Sequence, residues 1–155
     1  MKKNNWIKLI ASIVICELAG IIGSLFTANS VQTWYQTLNR PLLNPPSWVF
    51  GPVWATLYIL MGISLYIIWN KKKLKGNALY YFIAQLVLNT VWSIVFFGMH
   101  NILLAGIVIL LLWVSILLTI LSFKKINVTS AYLLYPYLAW VTFATYLNLG
   151  YLLVN

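Results

Sequence analysis

Residues 34–69 decide the fold, and they read WYQTLNRPLLNPPSWVFGPVWATLYILMGISLYIIW. This stretch holds four of the eight tryptophans and four of the five prolines of the chain. The prolines between residues 41 and 46 fix φ, remove amide donors and push their predecessors toward extended geometry. The stretch therefore predicts a stiff strap that carries aromatic residues, followed by an apolar helix.

The apolar helix is expected to begin near Ser47, whose hydroxyl suits an N-cap. Pro52 would then fall within the first turn or two, where a missing amide costs least. A rigid cover of proline and tryptophan above an apolar helix suggests a lid over a pocket.

The composition indicates an integral membrane protein. The chain of 155 residues is 63% hydrophobic and 7% charged, with a mean hydropathy of +0.90, whereas soluble domains carry about 25% charged residues. Its net charge is +9, but the basic residues form short runs between apolar stretches, which is the membrane pattern. This argues against nucleic acid as a partner.

The single cysteine, Cys16, excludes an internal disulfide and a multi-cysteine metal site.

Five stretches are long enough to cross a bilayer as helices, since about 20 apolar residues are needed. We predict an all-α membrane protein, a single domain over residues 1–155 with a lid loop at 29–47 between its first two helices. The predicted helices span about 6–28, 48–69, 78–98, 102–123 and 131–153.

The first helix is expected to be retained rather than cleaved as a signal peptide, because its apolar run continues past Glu17 to Phe26. Small residues recur in it at every fourth position, at Cys16, Gly20, Ser24 and Ala28. Such a stripe lets another helix approach closely. Packing inside the bundle is the preferred interpretation, and a dimer face is the alternative.

The distribution of lysine and arginine predicts the orientation. Nine of the ten lie at the N-terminus, in the link at residues 71–75 and at Lys124-Lys125, and only Arg40 lies on the other side. The positive-inside rule then places the N-terminus in the cytoplasm and the C-terminus and lid loop outside. A short, lysine-rich chain without a transit peptide favours a bacterial plasma membrane.

Three predicted helices carry polar or aromatic residues at helical spacing. Polar amides facing lipid would lack partners, so these stripes should face the bundle interior. Two explanations stay open: buried packing joined by amide hydrogen bonds, or a cavity lined by aromatic rings for a flat hydrophobic ligand. The stripes are Trp54, Tyr58, Met61 and Leu65; Gln85, Asn89, Trp92 and Phe96; and Tyr137, Trp140, Ala144, Asn148 and Tyr151.

The fourth helix has no such stripe and is expected to face lipid or a second copy. Pro136 is expected to kink the fifth helix.

The chain offers little conventional catalytic chemistry. His100 is the only histidine and Glu17 the only acidic residue, so no metal pair, histidine triad or carboxylate pair is possible. An ionisable residue inside the membrane is a functional candidate. For Glu17, a hydrogen-bonded acid inside the bundle is preferred to a proton-coupled role.

The chain from about residue 6 onward resembles the translocator protein family, also called tryptophan-rich sensory proteins or peripheral-type benzodiazepine receptors, and we identify it as a bacterial member. The matching pieces, in order, are Trp34-Tyr35, Pro41, Pro45-Pro46-Ser47-Trp48, Pro52-Val53-Trp54, Leu57-Tyr58, Met61-Gly62, Gln85-Leu86, Leu88-Asn89, Trp92, Phe96-Phe97-Gly98, Leu133 to Trp140, Phe143-Ala144-Thr145 and Leu147-Asn148.

The resemblance implies a five-helix bundle, often a homodimer, that binds protoporphyrin IX or haem and also isoquinoline carboxamides and benzodiazepines. Porphyrin would be a ligand or substrate, with no required cofactor or metal. Tyr151 is followed by no lysine or arginine, so the family's sterol motif is incomplete, and Leu104 replaces a tryptophan of some relatives. The ligand-binding residues implied are Tyr35, Trp54, Asn89, Trp92, Trp140, Ala144 and Asn148.

The expected function is a tetrapyrrole-binding sensor or regulator in the cell membrane, with the ligand stacked against Trp54 and Trp140. One alternative is an enzyme for light- and oxygen-dependent protoporphyrin IX breakdown, in which the same two tryptophans would be catalytic. The other is a small-molecule transporter. The position of Glu17 resembles that in small multidrug transporters, but those have one helix fewer and no proline-tryptophan strap.

Overall fold

The computed structural model describes residues 3–155, with side chains from Asn5 onward. The N-terminal charges counted at Lys2 and on the Lys3 side chain lie outside the described residues. The described part is helical and contains no strand, so the predicted all-α class is confirmed. Its five helical segments long and apolar enough to cross a membrane are Asn5–Gln32, Ser47–Asn70, Asn77–Gly98, Ile102–Lys124 and Val128–Val154.

The five spans contain six of the seven α-helices of the described part and two short irregular turns, and the remaining short helix, Trp34–Thr37, lies between the first two spans. A 3₁₀ turn at Ser47–Val49 leads into the second span, and a π-helical segment at Ile94–Gly98 ends the third. The α-helices are α1 (Lys3–Gln32), α2 (Trp34–Thr37), α3 (Phe50–Asn70), α4 (Asn77–Ser93), α5 (Ile102–Lys124), α6 (Val128–Tyr132) and α7 (Tyr135–Val154).

The predicted lid loop at 29–47 is shorter in the structure, because α1 continues to Gln32 and α2 follows at once. Residues 29–37 contain neither proline nor glycine, so nothing in the chain stops the helix there. The non-helical strap is confined to residues 38–46, where the prolines forbid a regular helix as predicted.

The prediction that Ser47 caps α3 is wrong. Ser47 instead begins the 3₁₀ turn after Pro46, and neither that turn nor α3 has a side-chain cap. Pro52 is the third residue of α3, within its first turn as predicted.

The fifth span is broken rather than kinked at its proline. The Asn127 side chain caps α6 by accepting from the Ser130 amide at 3.0 Å. Leu133 and Leu134 then interrupt the helix, and Pro136 lies in the first turn of α7. The break therefore falls before the proline, which occupies a position where its missing amide is tolerated.

The predicted polar stripes face the interior of the bundle. Gln85, Asn89 and Asn148 are 1%, 2% and 1% exposed, and Met61 and Tyr137 are fully buried. The Asn89 and Asn148 amides have hydrogen-bond partners there, which lipid could not offer, whereas the Gln85 amide has none among the described residues.

The expectation that the fourth span faces lipid or a second copy of the chain is wrong for one face of its helix. One face of α5 packs in the main core against α4 and α7, through residues that include Leu112, Ile116 and Phe123. Its other face, which includes Leu103, Leu111 and Leu121, is exposed. An entirely apolar helix carries no polar stripe that would mark its buried side, and hydropathy alone could not distinguish the two faces.

Candidate ligand-binding cavity

A cavity of about 470 Å³ lies between α1, the start of α3, the end of α4 with its π-helical segment, and α7. On α1 the wall extends from Glu17 to Gln32, about 22 Å along a helix axis. The wall is mostly apolar and rich in aromatic rings, as small-molecule sites usually are. Its aromatic residues are Tyr35, Phe50, Trp54, Tyr58, Trp92, Phe96, Phe97 and Tyr151.

Five of the seven ligand-binding residues implied by the sequence lie together in this wall. They come from α2, α3, α4 and α7, so residues far apart in the chain converge on one space. These five are Tyr35, Trp54, Trp92, Ala144 and Asn148. Asn89 and Trp140 are absent from the wall.

Asn89 lies in a buried polar cluster next to the cavity. Its side-chain oxygen accepts from the Tyr58 hydroxyl at 2.7 Å, and its side-chain nitrogen donates to the Tyr137 hydroxyl at 2.8 Å. Both bonds are between buried groups, and Tyr58 belongs to the cavity wall. Asn89 therefore holds Tyr58 in place rather than facing the cavity itself.

Trp140 lies outside the cavity wall and packs against two aromatic rings. Its ring centroid is 6.1 Å from Phe50, edge-on, and 5.6 Å from Phe143. Phe50, unlike Trp140, belongs to the cavity wall. Trp140 and Trp54 consequently do not face one another across the cavity. Sequence spacing missed this, because residues four apart on a helix already differ by about 40° in direction.

Two side-chain amides fix the aromatic wall. The Trp92 ring nitrogen donates to the side-chain oxygen of Asn148 at 3.1 Å, and the Asn148 nitrogen donates to the Ile102 carbonyl at 2.9 Å. The Tyr35 hydroxyl donates to the Asn44 side chain at 3.1 Å. These amides orient the rings.

The small-residue stripe of α1 forms one side of the cavity, which sequence reasoning did not anticipate. Gly20, Ser24 and Ala28 all belong to the wall, while Cys16 is fully buried one turn before them. A Cβ atom on Gly20 would come within 2.3 Å of the Tyr58 ring. The stripe thus serves close packing at Gly20 and leaves space beyond it.

The cavity is open on one side, between α1 and α3. Wall residues Ile21, Ser24 and Ala28 of α1 remain exposed, and so do Gly51 and Ala55 of α3. All five lie within the two apolar spans. The opening therefore faces the acyl chains of a surrounding bilayer.

The strap packs on the C-terminal end of α7. Pro41 lies against Gly150, where an added Cβ would come within 2.6 Å of the proline ring. The Tyr146 hydroxyl donates to the Leu42 carbonyl at 3.1 Å, and Asn39 exchanges hydrogen bonds with Asn155. Of the predicted lid loop, Val31, Gln32, Tyr35 and Ser47 reach the cavity wall.

Five apolar spans around a cavity with aromatic walls define a class, that of multi-pass membrane proteins with a ligand-sized space inside the membrane. Residues 12–153 match the family model described as TspO/MBR. The chain belongs to this family, as the resemblance indicated.

Named relatives cover nearly the whole chain. The Tryptophan-rich protein TspO of Archaeoglobus fulgidus is 44% identical over 156 residues, covering 97% of this chain and 99% of the relative. The Tryptophan-rich sensory protein of Cereibacter sphaeroides is 33% identical, covering 97% and 93%. The human Translocator protein is 36% identical, covering 92% and 87%.

Proposed function

We propose that the cavity binds a planar tetrapyrrole, protoporphyrin IX or haem, and that the protein is a membrane sensor or regulator of such compounds. The observation that carries this proposal is the pair Trp54 and Trp92 in the wall of one cavity. Flat π-systems bind well to offset or edge-on aromatic rings. The same surface suits isoquinoline carboxamides and benzodiazepines, which are flat and largely apolar.

A role in sensing is supported by the name of one relative, the Tryptophan-rich sensory protein of Cereibacter sphaeroides. The described wall also fits recognition, because its aromatic rings are held by hydrogen bonds and ring contacts before any ligand arrives. Preorganised groups lower the entropic cost of binding.

We also propose that the protein resides in the plasma membrane of a bacterium, with the lysine-rich end in the cytoplasm and the strap outside. This follows from the imbalance of lysine and arginine between the two ends. The cavity would then lie in the outer half of the bilayer.

The test fills the cavity from one helix and leaves the opposite face of that helix as a control. Ala144 lies in the wall and is 7% exposed, whereas Ala139 is exposed on the same helix. Protoporphyrin IX is titrated into purified protein, and binding is followed by porphyrin absorbance. Ala144→Phe is expected to weaken binding at least about tenfold by occupying the ligand's space, and Ala139→Phe to bind like the parent.

A second filling variant guards against misfolding. Ala55 belongs to the wall but is exposed at the opening. A larger side chain there should therefore disturb the packing of the core less in Ala55→Phe than in Ala144→Phe. Thermal unfolding of each variant in detergent reports its integrity. Binding of protoporphyrin IX at parental affinity by both filled variants would show that the porphyrin site lies elsewhere.

A further inference from the structure

Glu17 occupies the end of the cavity wall farthest from the strap. It lies one turn before Gly20 on α1, next to the point where α1 meets Tyr58. The other end of the wall is formed by Gln32, Tyr35 and Ser47. The only acidic side chain of the protein therefore faces the proposed ligand from its inner end.

Within the described residues, the Glu17 carboxyl has no hydrogen-bond donor or cationic partner. The nearest polar wall residue on its helix, Ser24, donates its hydroxyl proton to the Ile21 carbonyl at 2.7 Å. Lys8 precedes Glu17 by nine residues, about 13 Å along the helix axis. No lysine or arginine belongs to the wall formed by the described side chains.

An ionisable side chain at membrane depth normally pairs with another group, because lipid cannot solvate it. Here the neighbouring wall residues, Gly20, Ile21 and Tyr58, present mostly apolar surface, and the Tyr58 hydroxyl already donates its proton to Asn89. Glu17 itself belongs to the cavity wall. A partner for Glu17 can therefore be supplied by the occupant of the cavity.

The strap carries a basic residue, in contrast to the acidic Glu17 at the other end of the cavity. Arg40 is the only lysine or arginine between residues 9 and 70. Its guanidinium donates to the Gln36 side chain beside Tyr35. The Glu17 carboxyl at one end of the cavity and Arg40 on the strap beyond the other end favour one orientation of an asymmetric ligand. A ligand's own carboxylates would point toward the strap.

We infer that the cavity also accepts ligands that carry an ammonium or another N–H donor at one end of a flat apolar body, and that Glu17 holds this end at the inner limit of the cavity. The inference rests on the proposed function, because it takes the cavity to be the binding site. A charge-assisted N–H···O bond is stronger than a neutral one and is strengthened further away from water.

The test compares two fluorescent probes that share one flat ring system and differ at one terminus, pyrenemethylamine and pyrenemethanol. Binding is measured in uncharged detergent by energy transfer from tryptophan to pyrene. The parent is expected to bind the amine at least about tenfold more tightly than the alcohol, the effect of one charge-assisted hydrogen bond. Glu17→Gln should bind both probes within about twofold of each other, at the alcohol affinity of the parent.

Glu17→Asp serves as the matched control, because it keeps the carboxylate and should keep a preference for the amine. Alcohol binding by Glu17→Gln shows that the cavity remains intact. An amine preference that persists in Glu17→Gln overturns the role of Glu17, and so does a parent that binds both probes equally. In either case the proposed function stands. Failure of the parent to bind either probe would count against the cavity as a site for flat ligands, and against this inference with it.

Discussion

At the scale of single residues, the cavity wall is held in position by its neighbours. The Trp54 ring lies nearly parallel to Tyr58 at 5.7 Å and edge-on to Tyr137 at 6.2 Å. Trp92 stacks on Phe96 at 5.5 Å. Each contact has a geometry favourable for aromatic pairs. The two indoles in the wall are therefore fixed in orientation, and a ligand would not have to order them.

Trp54 and Trp140 should differ in their importance for porphyrin binding. Loss of one aromatic contact costs about 0.5–1.5 kcal/mol, so we expect Trp54→Leu to weaken protoporphyrin IX binding about two- to tenfold. Trp140→Leu should change it by less than about twofold, because Phe50 stands in the wall instead. Titrations monitored by porphyrin absorbance measure both.

The control for this pair is Trp48→Leu, since Trp48 is 75% exposed and outside the wall. If Trp140→Leu impairs binding as much as Trp54→Leu does, the ligand does not occupy the wall as described.

The residues of the site were only partly predictable from sequence. Ring type and helical spacing were enough to bring Trp54, Trp92 and Asn148 into one wall. They could not resolve neighbouring directions on a helix, so Trp140 was assigned to the wall although it lies outside it. The contribution of α1 was missed because small residues are typical both of close packing and of open space.

At the scale of elements, the meeting of α1 and α3 depends on two glycines. A Cβ on Gly62 would approach the Ile13 backbone to 2.5 Å, and one on Gly20 would overlap the Tyr58 ring. Beyond Gly20 the exposed wall residues of α1 and α3 mark the opening of the cavity. The two helices α1 and α3 therefore lie close together at Gly62 and Gly20 and are separated beyond Gly20, where the cavity opens.

Gly62→Ala should destabilise the bundle, because backbone atoms cannot move aside as a flexible side chain would. We expect the free energy of unfolding to fall by about 1–3 kcal/mol, the usual cost of overpacking. Gly51→Ala in the same helix meets no atom within 4 Å and should leave stability unchanged or raise it by up to about 1 kcal/mol. Unfolding by sodium dodecyl sulfate compares the two, and equal destabilisation would contradict the described helix contact.

The elements differ in how well sequence predicted them. Apolar runs specified five spans, and prolines specified the strap, because both effects are local. The extension of α1 to Gln32 and the break at Leu133-Leu134 were missed. The end of α1 carries no proline or glycine that would mark it. The break before α7 lies just ahead of Pro136, whose ring and missing amide disfavour a continuous helix through the preceding turn.

At the scale of the whole molecule, the two ends of the helix bundle differ in their content of basic residues. The links at residues 71–76 and 125–127 lie at the same end as the start of α1, since consecutive spans alternate in direction. Of the eight basic side chains in the described part of the chain, seven lie at this end and Arg40 lies at the strap end. The predicted homodimer stays a prediction.

Cysteine labelling tests the proposed orientation. In a Cys16→Ala background, Leu42→Cys places a thiol on the exposed strap and Lys73→Cys places one on the exposed basic link. A maleimide that cannot cross membranes should label Leu42→Cys in intact bacterial cells, and Lys73→Cys only after permeabilisation. The reverse pattern would invert the proposed topology.

The opening between α1 and α3 has a consequence for how affinity is to be expressed. A solute that reaches the cavity through the acyl chains equilibrates with material dissolved in lipid, not with material in buffer. Hydrophobic compounds partition strongly into that phase, so the protein experiences a much higher local concentration than the bulk value. Apparent dissociation constants should therefore rise in proportion to the amount of added lipid, and mole fraction in the membrane is the scale on which they stay constant.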